Sequence, residues 1–360
     1  MEPIQSDPTG EPTARHRPPV HLRPLGLLPH GLSLPHARPL AGGWLSFDRC
    51  EVAHRNGKFV ERRIVGLDDH RHWAVGMRTL LDRLSAPRPA VGGLSLNRPR
   101  IMGILNVTPD SFFDGGLHAD EERAVEHGLA MMNDGADIID VGAESTRPGA
   151  RPIPAEEQMR RAIPVLARLV RHGAIVSIDT RSAAVMRAAL DAGATILNDV
   201  SALSHDPDSL GVAATSTATV VLMHMRGVPE TMNAAPAYVD TALDVFDEIE
   251  HRLHACEGAG IPRGRILVDP GIGFAKTMTQ GASVARALSL FHGTGCGVLV
   301  GFSRKGLVKR WADGTGPDER LSGSLAAALA AFSQGVQIVR VHDVAATAQA
   351  RDVWEAFTSR

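Results

Sequence analysis

Seven polar side chains stand at the ends of short apolar runs and could do chemistry together: Asn106, Asp179, Asn198, Asp269, Lys305, Arg340 and His342. Carboxylates such as Asp179 and Asp269 accept well from paired N–H donors, and an aminopyrimidine edge offers such a pair. Asn198 can both donate and accept, which suits the edge of a heterocycle. Arg340 and His342 are two residues apart, so on a strand they point to one face. There they could converge on an anion, joined by Arg147 and the Asn106 amide. A lysine such as Lys305 is rarely held near a strand end without reason. The set divides between a flat nitrogen-rich ring and a negative charge.

These residues need a scaffold that collects strand ends. After Pro99 the chain repeats one texture, a short apolar run followed by a helix-length segment rich in Ala, Leu and Arg. The runs are Ile101–Asn106, Ile138–Val141, Ile175–Asp179, Ile196–Asp199, Val220–Met223, Ile266–Asp269, Val298–Gly301 and Ile338–Val341. Continuous apolar runs are what parallel strands covered on both faces require. Eight β-α units point to an α/β fold, a closed (β/α)8 TIM barrel. An open doubly wound sheet is the alternative. It usually carries G-x-G-x-x-G after its first strand, whereas this chain reads N-V-T-P-D-S-F there. Catalytic groups of such barrels sit at the C-terminal strand ends, and every run here delivers a polar group to that rim. Two long loops, 108–116 and 144–149, have the Gly and Pro content of lids.

Composition narrows the field further. The 38 basic and 40 acidic residues leave a net charge of −2, so no broad basic field exists for a nucleic-acid backbone. Cys50, Cys256 and Cys296 are odd in number and show no C-x-x-C spacing, which argues for reduced thiols in a cytoplasmic protein. No apolar run is long enough to span a membrane, and no secretory signal opens the chain. Residues 1–40 read as a disordered tail, in which His16, His21, His30 and His36 receive no role. Residues 41–98 read as a small appendage and Pro/Gly linker, with a hairpin around Asn56-Gly57 and a short helix from His72 to Leu84. The barrel occupies 99–360.

The strings MGILNVTPDSFFDGG, GADIIDVGAESTRPGA, IVSIDTRS, ILNDVSAL, ILVDPGIGF, GFSRK and RVHDV occur in order, about one per strand end. Over residues 101–343 the chain resembles the dihydropteroate synthases. The resemblance implies an enzyme, a transferase that joins a pterin methylene to p-aminobenzoate and releases pyrophosphate. It implies a pterin pocket of Asp179, Asn198, Met223, Asp269, Phe274 and Lys305. A diphosphate site of Asn106, Arg147, Arg340 and His342 follows, with Mg2+ at Asn106. Phe112, Thr146, Arg147, Pro148 and Ser303 would surround p-aminobenzoate. Asp179, Lys305, Arg340 and His342 would carry catalysis, and Asp114 would help hold the closed loop. Sulfonamides would inhibit, and a homodimer through barrel helices is expected. A pterin-binding methyltransferase or a non-catalytic paralogue are the other readings. The chain departs from the family's usual text at Ala275, where glycine is common, at Gln280, where asparagine is, and at Phe113, where serine is.

Some rim residues have plainer explanations. Asp199, Thr180 and Asp343 suit helix caps. Glu144 could order its loop. Met223 suits a core position as well as a ring platform. His224 is expected to take backbone partners, since no H-x-H follows the first strand to suggest a metal-dependent hydrolase.

Overall fold

The computed structural model describes residues 20–29, 34–68, 70–107, 117–144, 153–228, 237–306, 308 and 320–358. The N-terminal part comprises β1 (Val20–Leu25), β2 (Leu28–Pro29), β3 (Arg38–Pro39), β4 (Leu45–Phe47), β5 (Arg49–Asn56), β6 (Phe59–Gly66) and α1 (Val75–Ser85). Strands β1, β5 and β6 form one antiparallel sheet, and β2, β4 and β3 a second small one. The β5–β6 hairpin is set by its turn: Asn56 pairs with Phe59, and Gly57 between them takes φ +60°, which costs glycine nothing. In α1, Met77, Leu81 and Leu84 fall on one face and pack onto Leu22, Leu45, Phe47 and Val52, giving this unit its own core. The expected tail is therefore too long. Val20–Leu25 is a strand, because β5 pairs its backbone along its length while the neighbouring residues His21 and Leu22 are both buried against the rest of the molecule.

The remainder alternates strand and helix: β7 (Arg100–Asn106), α2 (Leu117–Asn133), β8 (Ile138–Gly142), α3 (Ala155–Arg171), β9 (Val176–Asp179), α4 (Ala183–Asp191), β10 (Ile196–Asp199), α5 (Ser209–Thr215), β11 (Thr219–Met223), α6 (Thr241–Gly258), β12 (Ile266–Asp269), α7 (Met278–Arg286), β13 (Gly297–Val300), α8 (Leu321–Phe332), β14 (Ile338–Val341) and α9 (Val344–Thr358). Strands β7 to β14 are parallel and close on themselves, β14 pairing with β7 through Val339 and Ile101. The fold is the (β/α)8 TIM barrel, each strand within a residue or two of its apolar run. One helix differs. The helix-length segment after β12 is broken: α7 ends at Arg286 and the chain continues as a fully buried 3-10 segment, Leu288–Thr294, wedged beneath β1.

The segment between the two units is more than a linker. Val91 and Leu94 bridge to each other, and together with Leu96 they fill the N-terminal end of the barrel against Met102, Ile138, Ile196, Val221, Leu267, Leu299 and Ile338. The bottom is thus plugged and the opposite end is left for ligands. Among the described residues, no helix is long and apolar enough to cross a membrane.

The N-terminal sheet is bolted to α6 by buried charge. His21 Nε2 lies 2.7 Å from Asp247 Oδ1, and Arg55 reaches Asp244 at 2.8 Å and Asp247 at 3.3 Å. The side chains of Arg55, Asp244 and Asp247 are 5%, 2% and 0% exposed. Removing the cation leaves Asp244 Oδ1 and Asp247 Oδ2 without their counter-charge in a low-dielectric seam. Arg55→Ala is expected to cost about 3–5 kcal/mol in urea unfolding; a loss below about 1 kcal/mol would show that the seam is hydrated and the pairing weak.

Candidate active site

At the open end of the barrel one arginine bridges two acids. Arg340, on β14, donates from Nε to Asp140 Oδ2 at 2.6 Å and from Nη2 to Asp179 Oδ2 at 2.8 Å. Asp140 also accepts from Asn198 Nδ2 at 3.0 Å. Strand register explains the grouping, since Gly142 of β8 pairs with Asp179 of β9, which pairs with Asn198 of β10. Burial disfavours the charged form of Asp179 and raises its pKa to about 7; Arg340 opposes the shift and Asp140 adds to it. Arg340, expected on sequence to grip an anion, is here held across the mouth by carboxylates.

The second half of the mouth is built by the turn after β12. Asp269 is buried and accepts from Gly271 N at 2.8 Å, and burial raises its pKa against the pull of Lys305. Lys305 donates to Ile272 O at 2.6 Å and lies 4.7 Å from the centre of the Phe274 ring. Its pKa is lowered to about 8, chiefly by burial, with Asp269 opposing and Arg340 assisting. The two halves meet at Gly301, where an added Cβ would lie 3.8 Å from both Arg340 Cβ and Lys305 Nζ. Asp179, Asp269, Lys305 and Arg340 therefore open onto one space, flanked by the buried Met223.

Beneath the turn is a network the sequence reading missed. Lys276 Nζ donates to Gly271 O at 3.0 Å, Phe274 O at 3.1 Å and His224 Nδ1 at 2.9 Å. His224 Nε2 lies 2.8 Å from Glu248, which also receives Arg226. With Nδ1 accepting from Lys276, His224 carries its proton on Nε2. Burial and then the Lys276 charge lower its pKa to about 4. Burial likewise lowers Lys276 to about 7. Thus His224 takes side-chain partners, where backbone ones were expected.

The remaining assignments divide. Ser303 Oγ lies 3.0 Å from His342 Nδ1 and accepts from His342 N at 3.1 Å, so these two are joined at the rim. Asn106 ends β7 half-buried. Phe112, Phe113, Asp114, Thr146, Arg147 and Pro148 lie outside the described residues. Glu144 forms a buried pair with Arg181 at 3.2 Å. Asp199 caps no helix. It accepts from Ser201 N and Leu203 N, holding a turn in which Ala202 and Leu203 take positive φ. Asp343 pairs with Arg304, and Thr180 Oγ1 accepts from Ser182 N at 3.2 Å at the entry of α4. Among the described residues, no cluster of three or more His, Cys, Asp or Glu could hold a metal.

A family model described as pterin binding enzyme matches residues 102–342, from β7 to the Arg340–His342 pair. The chain belongs to the pterin-binding enzyme family. Among its relatives, the dihydropteroate synthase of Escherichia coli is 45% identical over 267 residues, covering 74% of this chain and 94% of that protein. Two solved structures of the Xanthomonas albilineans dihydropteroate synthase are also similar. The one with 4-aminobenzoic acid is 45% identical at a TM-score of 0.71, covering 76% of this chain and 99% of that one. The one with 7,8-dihydropteroate is 40% identical at a TM-score of 0.67, covering 76% and 100%.

Two departures from the pterin-binding enzymes' usual text have a local account. Gln280 completes a capping box with Thr277, each side chain receiving the other's backbone N–H at the start of α7. Ala275 takes φ +45°, a conformation that crowds Cβ. Ala275→Gly is expected to raise stability by up to about 1 kcal/mol, the relieved strain being partly offset by glycine's unfolded-state freedom. Gly271 is the opposite case: φ is +65°, and a Cβ would sit 1.9 Å from His224 O. Gly271→Ala should displace Asp269 and Phe274 together, and a crystal structure of the variant with that turn unmoved would refute the account.

Proposed function

We propose that this chain is a dihydropteroate synthase. It joins 6-hydroxymethyl-7,8-dihydropterin diphosphate to p-aminobenzoate, giving 7,8-dihydropteroate and pyrophosphate in folate biosynthesis. The observation that carries the reading is the convergence of Asp179, Asp269, Lys305 and Arg340 on one barrel mouth. Acceptors for a nitrogen-rich ring and cations for its oxygen and diphosphate arm lie together there.

The reaction breaks the bond between the pterin methylene and the diphosphate oxygen. The electron pair leaves with pyrophosphate and a ring-stabilised cation remains. The amine of p-aminobenzoate then forms the C–N bond and loses a proton. Asp269 accepts from the ring's amino and N–H groups while Lys305 donates to its carbonyl oxygen and N5. Asn198 meets the other edge, and Met223 and Phe274 pack the ring faces. Ionised Asp179 stabilises positive charge on the ring. Arg340, His342, Arg147 and Asn106 receive the leaving anion. Arg340 is already tied to Asp179, so departure of the anion and charging of the ring are felt by one ion pair. Phe112, Thr146, Arg147, Pro148 and Ser303 form the p-aminobenzoate side. The Asn106 carboxamide is a hard oxygen donor of the type Mg2+ takes when substrate phosphates and water supply its other ligands. Bound there, Mg2+ would neutralise charge on the diphosphate. The chain acts in the cytoplasm as a homodimer, without nucleic acid or membrane as partner.

Pyrophosphate release should require both substrates and be inhibited competitively by sulfonamides against p-aminobenzoate. Tight pterin diphosphate binding with no turnover in the presence of p-aminobenzoate would overturn the reading. The pH dependence has a definite sign. Asp179 becomes ionised only as pH rises through about 7, and Lys305 loses its proton as pH passes about 8. A bell-shaped kcat/KM profile with a narrow maximum between those limbs is expected. Lys305→Met should remove the alkaline limb and lower kcat/KM by about 100-fold; an unchanged limb would assign it to another group.

A further inference from the structure

Asp140 is the one site carboxylate to which the reaction above gives no task. It lies mid-strand in β8 between Ile139 and Val141, wholly buried. Its Oδ2 holds both Arg340 Nε and Asn198 Nδ2, at 2.6 and 3.0 Å. Its other oxygen, Oδ1, is buried with no hydrogen-bond partner among the described residues, as is the hydroxyl of Ser177, its register partner on β9. A fold shaped by stability alone would not keep a buried carboxylate with half of its acceptors unmet. The residue's value lies in what its bound oxygen dictates.

A carboxylate held by an arginine only accepts, so Asn198 must turn its NH2 end toward Asp140. The amide then has a single orientation, with Oδ1 as the end offered to a ligand. The same oxygen pins Arg340 at Nε, so that Nη2 meets Asp179. We propose that Asp140 is a positioning residue that sets the donor and acceptor polarity of the pterin pocket, by fixing Asn198 as an acceptor and aligning Arg340 across the mouth. Substituting an amide at 140 would let Asn198 flip and would leave Arg340 with one acid. The inference rests on the synthase reading, because it assigns the pocket to a ring that presents N–H donors to Asn198.

The experiment is a cycle of four proteins: wild type, Asp140→Asn, Asn198→Asp, and the double variant. In the double variant donor and acceptor are exchanged, with an amide at 140 donating to a carboxylate at 198 that still offers an oxygen to the ligand. Binding of 6-hydroxymethyl-7,8-dihydropterin by isothermal titration is the first readout. Each single change is expected to weaken binding at least about tenfold, and the exchange to recover most of the loss. The pH profile is the second. Removing the negative charge at 140 lowers the Asp179 pKa, so the acid limb of kcat/KM should move to lower pH, which a merely structural residue would not produce. Wild-type affinity in a folded Asp140→Asn, or a double variant no better than Asn198→Asp, overturns the proposal. The second comparison decides even where Asp140→Asn alone does not fold. Wild type that fails to bind the pterin removes the synthase reading and this proposal together; wild type that binds and turns over, with a failed cycle, removes only the proposal.

Discussion

Concentrating acids inside a low-dielectric barrel mouth is expensive, and a single guanidinium makes it tolerable here. Arg340 spans Asp140 and Asp179, which lie on different strands and would otherwise repel. Its planar fork lets it meet two carboxylates at once, a task the point charge of lysine performs poorly. The arrangement explains why Asp179 stays close to neutrality in its titration: burial pushes the proton on while the arginine pushes it off. A carboxylate poised in this way responds sharply to any charge that forms beside it.

Lys305 and Asp269 repeat the theme across the mouth with more backbone involved. Carbonyl and amide groups of the Gly271–Phe274 turn hold both side chains, and Lys276 ties the turn from below to His224 and Glu248. The groups at the barrel mouth are therefore oriented by a buried layer beneath the turn. Preorganisation of this kind is where electrostatic catalysis gains its advantage over water.

The barrel strands were legible in the sequence because parallel strands buried on both faces write continuous apolar text. Their terminal residues were legible because a polar residue closing such a run has few structural duties. Asp140 was passed over because it sits inside a run, in ADIIDVGA, where an isolated charge is easily read as noise. It was in fact the more informative signal, since a mid-strand acid must find a cation across the barrel. Lys276 was unreadable for another reason: its partners are carbonyls and a histidine 52 residues away, which no local pattern announces. β1 was lost in a segment whose Pro, His and Arg content resembles a tail, though His21 and Leu22 are core residues.

The seal formed by Val91, Leu94 and Leu96 bears on how the molecule can be dissected. A barrel cut free at Pro99, where the repeating texture begins, would lose its stopper. Water would gain the layer that includes Met102, Ile138 and Ile338, at the pole opposite the chemistry. The smallest autonomous catalytic piece must therefore start upstream of residue 91, whatever the remaining front portion contributes.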